Sequence, residues 1–543
     1  MASARHGLRE VPGEPGECRG RDWVMWPSAL ALAVAIGLYS ANVALHPHVL
    51  LSDVDLAVYR DAGLVARRSP GQLYQWQQSP GLRFTYTPFA AALCIAGSVL
   101  PWGLTTWLML AASVAALLAT VWLAFGGLGW HGTSRLGAAC AVSAVALWLE
   151  PVQRTLHTGE VDLLLMLLVV RDLSTTRLRW QGAGLGAAAG IKLVALIFIP
   201  YLLLTGRHRE AATAAGTFAA TVVAGALLFP QASVTWWLGG AFLNARRTGF
   251  VGFLANQSLL GVTARLAGSV PPAAVWLALA VLAGGPGLLL AASMHRHRGP
   301  VHGWVVCAVT GLIVSPVSWD HHWVWVAPAL AVLTDLAACA RGVLRVAWSA
   351  SAGLVAVVFG AWPSVWKGGG SAVPWGLIWY APYTRDDVGE IHPEYHWAGL
   401  QLLAGNLYLL AGLVMLAIAA ILRPGCSWTG SRRIPGYPPT YSVVTACRTS
   451  SRAARLLGAM AAAMPASPAS AARTSSWTTG NTRRVMPWEC SAATIAQPNS
   501  TQSASPWTAP SREMTSDSER TIERSWPRVV PTARSRPSSR VRS

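Results

Sequence analysis

Long apolar runs separated by short polar intervals set the pattern of the chain from residue 24 to residue 422. A bilayer core takes about 20 apolar residues in a helix. Residues 24–46 meet that length and predict a first span, too long for a signal-peptide core and with no clear cleavage site after it. Residues 87–100 are apolar but short, end at Pro101, and predict a half-helix in the interface. Further runs follow at 104–126, 136–150, 163–170, 182–204, 211–229, 272–293, 303–317, 323–340, 343–361 and 398–422. Together they predict an all-α polytopic membrane protein with about 10–12 transmembrane helices and short external helical loops. The run 182–204 is unusual. Lys192 stands in its middle, and basic clusters flank both ends, Arg171, Arg177 and Arg179 before it and Arg207, His208 and Arg209 after it. Either it folds back as two half-helices, or one basic loop lies outside.

Composition supports this reading. The chain is 53% hydrophobic and 12% charged, against about 25% charged in soluble domains. Its 27 Trp suit side chains seated at lipid–water boundaries. The formal net charge of +19 is concentrated at the end of the chain, where residues 423–543 hold 17 Arg, no Lys and 5 acids. The remainder is a modest excess suited to basic cytoplasmic loops, so no nucleic-acid partner is expected. The organisation expected is a cytoplasmic N-terminal segment 1–23, a transmembrane domain 24–422, and a Ser/Arg/Pro-rich disordered tail 423–543. The tail scatters Trp428, Trp477, Trp488, Trp507 and Trp526 and lacks lysine. That is the composition of GC-rich DNA read in another frame, so a frameshift near 424–428 competes with a genuine tail. Cys94, Cys140, Cys307 and Cys339 lie in apolar runs and read as small core residues.

Candidate chemistry gathers at the polar intervals. The longest near the start, Leu51–Pro88, carries Asp53, Asp55 and Asp61, with Arg60, Arg67, Arg68 and Arg83, and Tyr59, Tyr74, Trp76, Phe84 and Tyr86 between them. A carboxylate at the water edge of a membrane cavity can take the proton of an attacking hydroxyl. Asp53 and Asp55 share a face if the stretch is extended and diverge if it is helical. In SPVSWDHHW, Asp320, His321 and His322 open an apolar run; imidazoles can bond phosphate oxygens and Asp320 can fix a tautomer. Adjacent histidines have no useful ligand spacing and no evident third ligand, so no metal is expected. Lys192 could pair with a phosphate or with Asp162. His157, Glu160 and Asp162 in RTLHTGEVD form a further cluster, and Asn244, Arg246, Arg247, Asn256 and Gln257 another. Paired arginines beside aromatics suit a phosphate and a sugar.

The ordered set DVDLAVYRDAG, LRFTYTPFAA, HTGEVDLLLMLLVVRDL, AGIKLVALIFIPYLL, LANQSLLG and ISPVSWDHHWVW resembles the actinobacterial polyprenyl-phosphate-mannose-dependent α-mannosyltransferases of the GT-C membrane fold. The resemblance covers roughly residues 24–422. It implies a polyprenyl-phosphate-linked mannose donor, a glycolipid acceptor such as a phosphatidylinositol mannoside or lipomannan, membrane lipids as surroundings, and no cofactor. It places the active site on the extracytoplasmic face of the plasma membrane. It implies an inverting transfer with Asp55, or alternatively Asp53, as general base. His322, His321, Asp320, Lys192, Arg60, Arg246, Arg247, Tyr86, His157, Glu160 and Asn256 would bind donor phosphate or substrate. Where relatives read TYPP, this chain has Thr85-Tyr86-Thr87-Pro88. A decaprenyl-phosphate-arabinose transferase of the same fold and a transporter are the rivals. A transporter should show two similar halves, and no repeat is seen.

Overall fold

The computed structural model describes residues 25–79, 82–174, 180–362, 376–384 and 392–422, and the backbone of two short strands in the tail. It is a helical bundle. The first helices are α1 (Met25–Leu45), α2 (Pro47–Leu50) and α3 (Val54–Arg68). A small hairpin of β1 (Gln77–Ser79) and β2 (Leu82–Arg83) leads to α4 (Pro88–Ser98). Then come α5 (Trp102–Gly127), α6 (Gly132–Ala146), α7 (Glu150–Thr158), α8 (Asp162–Ser174), α9 (Ala183–Ile191) and α10 (Phe198–Leu204). The chain continues through α11 (His208–Leu228), α12 (Pro230–Ser233), α13 (Leu259–Ala267), α14 (Ala273–Arg298) and α15 (Pro300–Val314). It ends its helical part in α16 (Val326–Cys339), α17 (Gly342–Val358), α18 (Leu400–Gly405) and α19 (Leu407–Ile421). In the tail, β3 (Ser431–Arg433) pairs antiparallel with β4 (Ser442–Val444); its other residues lie outside the described ones.

Among the described residues, five helices are long and apolar enough to cross a membrane: α1, α5, α11, α14, and α16 with the turn Asp320–Trp325 that precedes it. Shorter apolar stretches, among them α15, α17 and α19, complete the bundle. Large side chains seal its interior, with Trp304, Trp323, Tyr201, Phe125 and Phe359 fully buried. Small residues let helices approach: Gly287 of α14 lies against Thr310 of α15, and Gly303 of α15 against His295 of α14, so these two helices run antiparallel. Of the four cysteines in apolar runs, Cys307 is buried and Cys94 and Cys140 partly so, but Cys339 is exposed and is not a core residue.

The run 182–204 folds back. Gly182 packs on the backbone of Glu210, Gly186 on Ala214 and Gly190 on Thr221, so α9 climbs beside α11 in the same direction. No side chain fits at these contacts, which explains the small residues of GAGLGAAAG. At Lys192 the backbone turns extended (φ −134°, ψ 114°), and the chain returns through Leu193–Ile197 and α10. Arg207 then donates to the carbonyls of Leu173 and Asp172, 3.2 Å each, at the end where α9 began. Arg171 and the Arg207–Arg209 cluster therefore lie at one end of the bundle, Arg177 and Arg179 falling outside the described residues, and Lys192 is lifted to the level of Thr221. That is roughly 20 Å along α11 at 1.5 Å per residue.

The two ends differ in chemistry. One gathers Arg135, Arg207, Arg296 and Arg298, tied by Trp130 to Asp335 (2.8 Å), Tyr201 to His295 (2.7 Å) and Arg298 to the Leu422 carbonyl (3.3 Å). The other gathers the start of α3, the bend between α7 and α8, the tip at Lys192, and the turn Asp320–Trp325.

Candidate active site

The polar interval after α1 is helical, and that decides between its two aspartates. Asp53 is the residue before α3 and has a left-handed backbone (φ 47°). Its side chain turns away to accept a 2.8 Å bond from Thr106 on α5. Asp53 does not line the cavity described below. Asp55, two residues on, points to the other side. It lines a cavity of about 490 Å³ together with Tyr59, Tyr86, Glu160, Lys192, His321 and His322. Such a volume is within the range of small-ligand sites.

Inside the cavity the charges are arranged by a few short contacts. Tyr59 and Tyr86 each donate 2.6 Å bonds to Glu160, one to each oxygen. Lys192 Nζ lies 3.2 Å from Glu160 and 2.7 Å from Asp162. Burial opposes ionisation of Glu160, but Lys192, His321 and the two hydroxyls overcome it and hold the carboxyl down to about 2. Asp55 makes no ion pair among the described residues. One of its oxygens is buried with no hydrogen-bond partner. Burial first and the Glu160 charge second push it up to about 7, against the pull of His321 and a bond from Thr158. The site thus holds one carboxylate fixed in the charged form and a second poised near neutrality.

The histidine motif forms the facing wall. His321 receives support from Asp320, whose Oδ1 accepts from the His321 backbone at 2.8 Å and lies 3.2 Å from Nδ1. Arg154 stands 3.6 Å from the other oxygen of Asp320. His322 Nε2 is 3.9 Å from Asp162. The expectation that no third ligand stands near the histidines does not survive the fold. Ligand atoms of Asp162, His321 and His322, and of Asp55, Glu160 and His321, lie within 4.8 Å of one another. Lys192, however, already puts a cation between Glu160 and Asp162.

Several expected site residues lie outside the cavity. His157 is buried, holds the Leu50 carbonyl at 3.0 Å through Nδ1, and through its own carbonyl accepts from Ser52 and Asp53. It clamps the approach to α3 and does not line the cavity. Asn256 is fully buried and staples two loops, donating to Val251 at 2.9 Å and accepting from the Ser318 amide at 3.0 Å. Asp320 acts through His321 and does not itself line the cavity. Arg60 lies over Trp102, 5.9 Å from the ring centre, outside the cavity. Arg246 is exposed and outside it, whereas Arg247 lines it. Thr87, the departure from TYPP, caps α4 by accepting from Ala90 at 3.2 Å, and its hydroxyl donates to the Gly190 carbonyl beside Lys192.

Other contributors were not singled out as site residues from the sequence. Tyr59 is one, though its spacing of four from Asp55 on a helix put it on the same face. Glu150 is another. It is fully buried and accepts from Trp379 and Tyr408 at 2.9 Å, joining distant segments behind Arg154. Arg265 is the third. It binds the carbonyls of Phe253 (2.9 Å) and Asn256 (3.0 Å) and the side chain of Asn406, fixing the loop before α13.

Comparison with known proteins fits this geometry. Residues 84–316 match Glycosyltransferase family 87, a range that includes Tyr86, Glu160, Lys192 and Arg247. A polyprenol-phosphate-mannose-dependent alpha-(1-2)-phosphatidylinositol pentamannoside mannosyltransferase of Mycobacterium tuberculosis is 32% identical over 372 residues, 65% of this chain and 83% of the relative. Its namesake in Mycolicibacterium smegmatis is 33% identical over 393 residues, 68% of this chain and 86% of the relative. A polyprenol-phosphate-mannose-dependent alpha-(1-2)-phosphatidylinositol mannoside mannosyltransferase of the same species is 31% identical, over 62% of this chain and 86% of the relative. No solved structure matches the chain. With these relatives and with helices long and apolar enough to cross a membrane, the chain is an integral-membrane glycosyltransferase. More particularly, this chain belongs to glycosyltransferase family 87.

Proposed function

We propose that residues 24–422 form a catalytic domain that moves mannose from a polyprenyl-phosphate mannose to a phosphatidylinositol mannoside or a related mannolipid, with inversion. The relatives' donor and acceptor motivate the substrates. One observation carries the chemistry: of the three carboxylates lining or bordering the chamber, Glu160 and Asp162 are engaged by Lys192, while Asp55 makes no ion pair among the described residues and has one oxygen buried without a hydrogen-bond partner. Asp55 takes the proton of the acceptor hydroxyl as that oxygen attacks the anomeric carbon. The bond from the anomeric carbon to the phosphate oxygen breaks, and polyprenyl phosphate leaves with the electron pair. The leaving group is already acidic, so stabilising its charge matters more than protonating it. His321 and His322 face the donor. Leu193, Val194, Ile197 and Val314 give the chamber an apolar wall along which a lipid chain can lie.

The arginine-rich end of the bundle is cytoplasmic by the positive-inside rule, which puts the chamber at the extracytoplasmic face of the plasma membrane. The test is direct. Membranes carrying the full chain, given labelled polyprenyl-phosphate mannose and a phosphatidylinositol mannoside, should form a labelled, longer mannolipid. Label retained wholly in the donor, or transferred only from decaprenyl-phosphate arabinose, rejects the mannose reading.

Lys192 pairs with Glu160 and Asp162, one carboxylate from each of the two groups whose atoms stand close enough to hold a metal ion. Transfer is therefore expected to stay within about twofold after EDTA treatment, since no metal-activated step is being asked to lower the barrier. Loss of transfer restored by added Mn²⁺ would place an ion in the chamber and contradict this.

A further inference from the structure

We propose that Arg83 and Arg247 form the subsite for the phosphate of an isoprenoid lipid, so that the donor lies with its phosphate at the cavity mouth and its sugar pointing in toward Asp55. This deepens the reading above and rests on the donor being a lipid-phosphate sugar.

Both arginines line the same cavity as Asp55 but stand on other elements, Arg83 on β2 and Arg247 on the turn Ala245–Thr248. Arg247 is held in place. One of its terminal nitrogens donates to the Tyr74 carbonyl at 2.8 Å, and its guanidinium lies 5.6 Å from the Tyr74 ring centre. Its Nε is buried without a partner. Among the described residues, neither arginine makes an ion pair with a carboxylate. Burial and the neighbouring Arg83 charge both weigh against the Arg247 cation, lowering its pKa. Two adjacent guanidinium groups without a counter-charge among the described residues are a standing electrostatic cost that a bound anion removes.

The inner chamber is wrong for a phosphate. It sets Asp55, Glu160 and Asp162 against a single ammonium, Lys192, which two of those carboxylates already engage. A leaving phosphate that gains negative charge would be repelled there and attracted at the mouth. The mouth is also greasy. Phe242, Leu243 and Thr248 line it beside Arg247, Leu243 is 71% exposed, and Leu238 on the same loop is 83% exposed. A cationic pair next to exposed leucines at the end of a membrane bundle suits a phosphate carried on a hydrocarbon chain better than a free one.

The probe is farnesyl phosphate, with farnesol as the uncharged control, titrated against the full chain in lipid nanodiscs. The wild-type protein should bind farnesyl phosphate at least about tenfold more tightly than farnesol, and Arg83→Ala and Arg247→Ala should each remove about tenfold of that affinity. Arg247→Lys, which keeps the charge and the fold but loses the fork that holds the Tyr74 carbonyl, should weaken binding by a few-fold. Equal affinity for the phosphate and the alcohol would overturn the subsite. So would wild-type affinity in the double Arg83→Ala/Arg247→Ala protein, or a loss seen in His322→Ala but not in either arginine variant. Binding that depends on the arginines without any mannose transfer would keep the subsite and reject the sugar. Mannose transfer with binding indifferent to both arginines would do the reverse.

Discussion

Asp55→Asn is expected to lower sugar transfer by about 10² to 10⁴, the range a positioned general base supplies, while donor binding and the amount of folded protein stay close to wild type. The substitution keeps size and polarity. It removes only the ability to accept a proton. Asp55 has an unpartnered buried oxygen, so no ion pair is broken and stability should change little. Asp53→Asn should behave in the opposite sense. Its bond from Thr106 on α5 supports the start of α3, so any loss should appear in folded protein before it appears in the rate per folded molecule. Single-turnover transfer normalised to folded enzyme separates the two. Equal rates for Asp55→Asn and wild type would remove the base assignment.

The second large effect belongs to Lys192. Lys192→Met leaves Glu160 and Asp162 buried beside Asp55 with no cation between them. Removing one partner of a buried pair typically costs about 3–5 kcal/mol, and here the lysine also sits at the reversal of the membrane hairpin. Folded yield should fall sharply. In the fraction that folds, transfer at neutral pH should drop by about a hundredfold or more, because uncompensated carboxylates hold Asp55 protonated. Lys192→Arg should recover folded protein more than activity, since a planar fork cannot reproduce a 2.7 Å point contact. Detergent-solubilised thermal unfolding and transfer rates on the same preparations check both parts. Unchanged stability in Lys192→Met would show that the ion pair does not hold the hairpin.

The sequence made the membrane character plain, because twenty-residue apolar runs have few other uses. It also placed the breaks in the runs, and the basic flanks of 182–204 raised the fold-back that α9 and α10 adopt. What periodicity left open was the state of the stretch after α1. DVDLAVYR has the charge density of a loop, and only its packing against α4 and α7 reveals a helix whose faces separate Asp53 from Asp55. The site was legible where residues stand together, as in SPVSWDHHW. It was hidden where partners come from distant segments. Tyr59 and Glu160 are 101 positions apart, and Glu150 and Tyr408 are 258 apart. His157 and Asn256 lie outside the cavity for a physical reason. Polar residues inside membrane bundles also serve to satisfy backbone groups where helices break, and both do so here.

The central claim is that the group accepting the proton is Asp55, tuned by the Glu160 charge beside it. The pH dependence of single-turnover transfer, measured for the wild type and for Glu160→Gln, tests it most directly. A base raised to about 7 is protonated and idle below that value and active above it, so the wild-type rate should rise with pH to a plateau beyond about 7. Glu160 raises Asp55 by repulsion, so removing its charge should move the rise to lower pH by about one unit. A rise that stays in place in Glu160→Gln, or a wild-type rate that is flat from pH 5 to 8, would contradict the assignment.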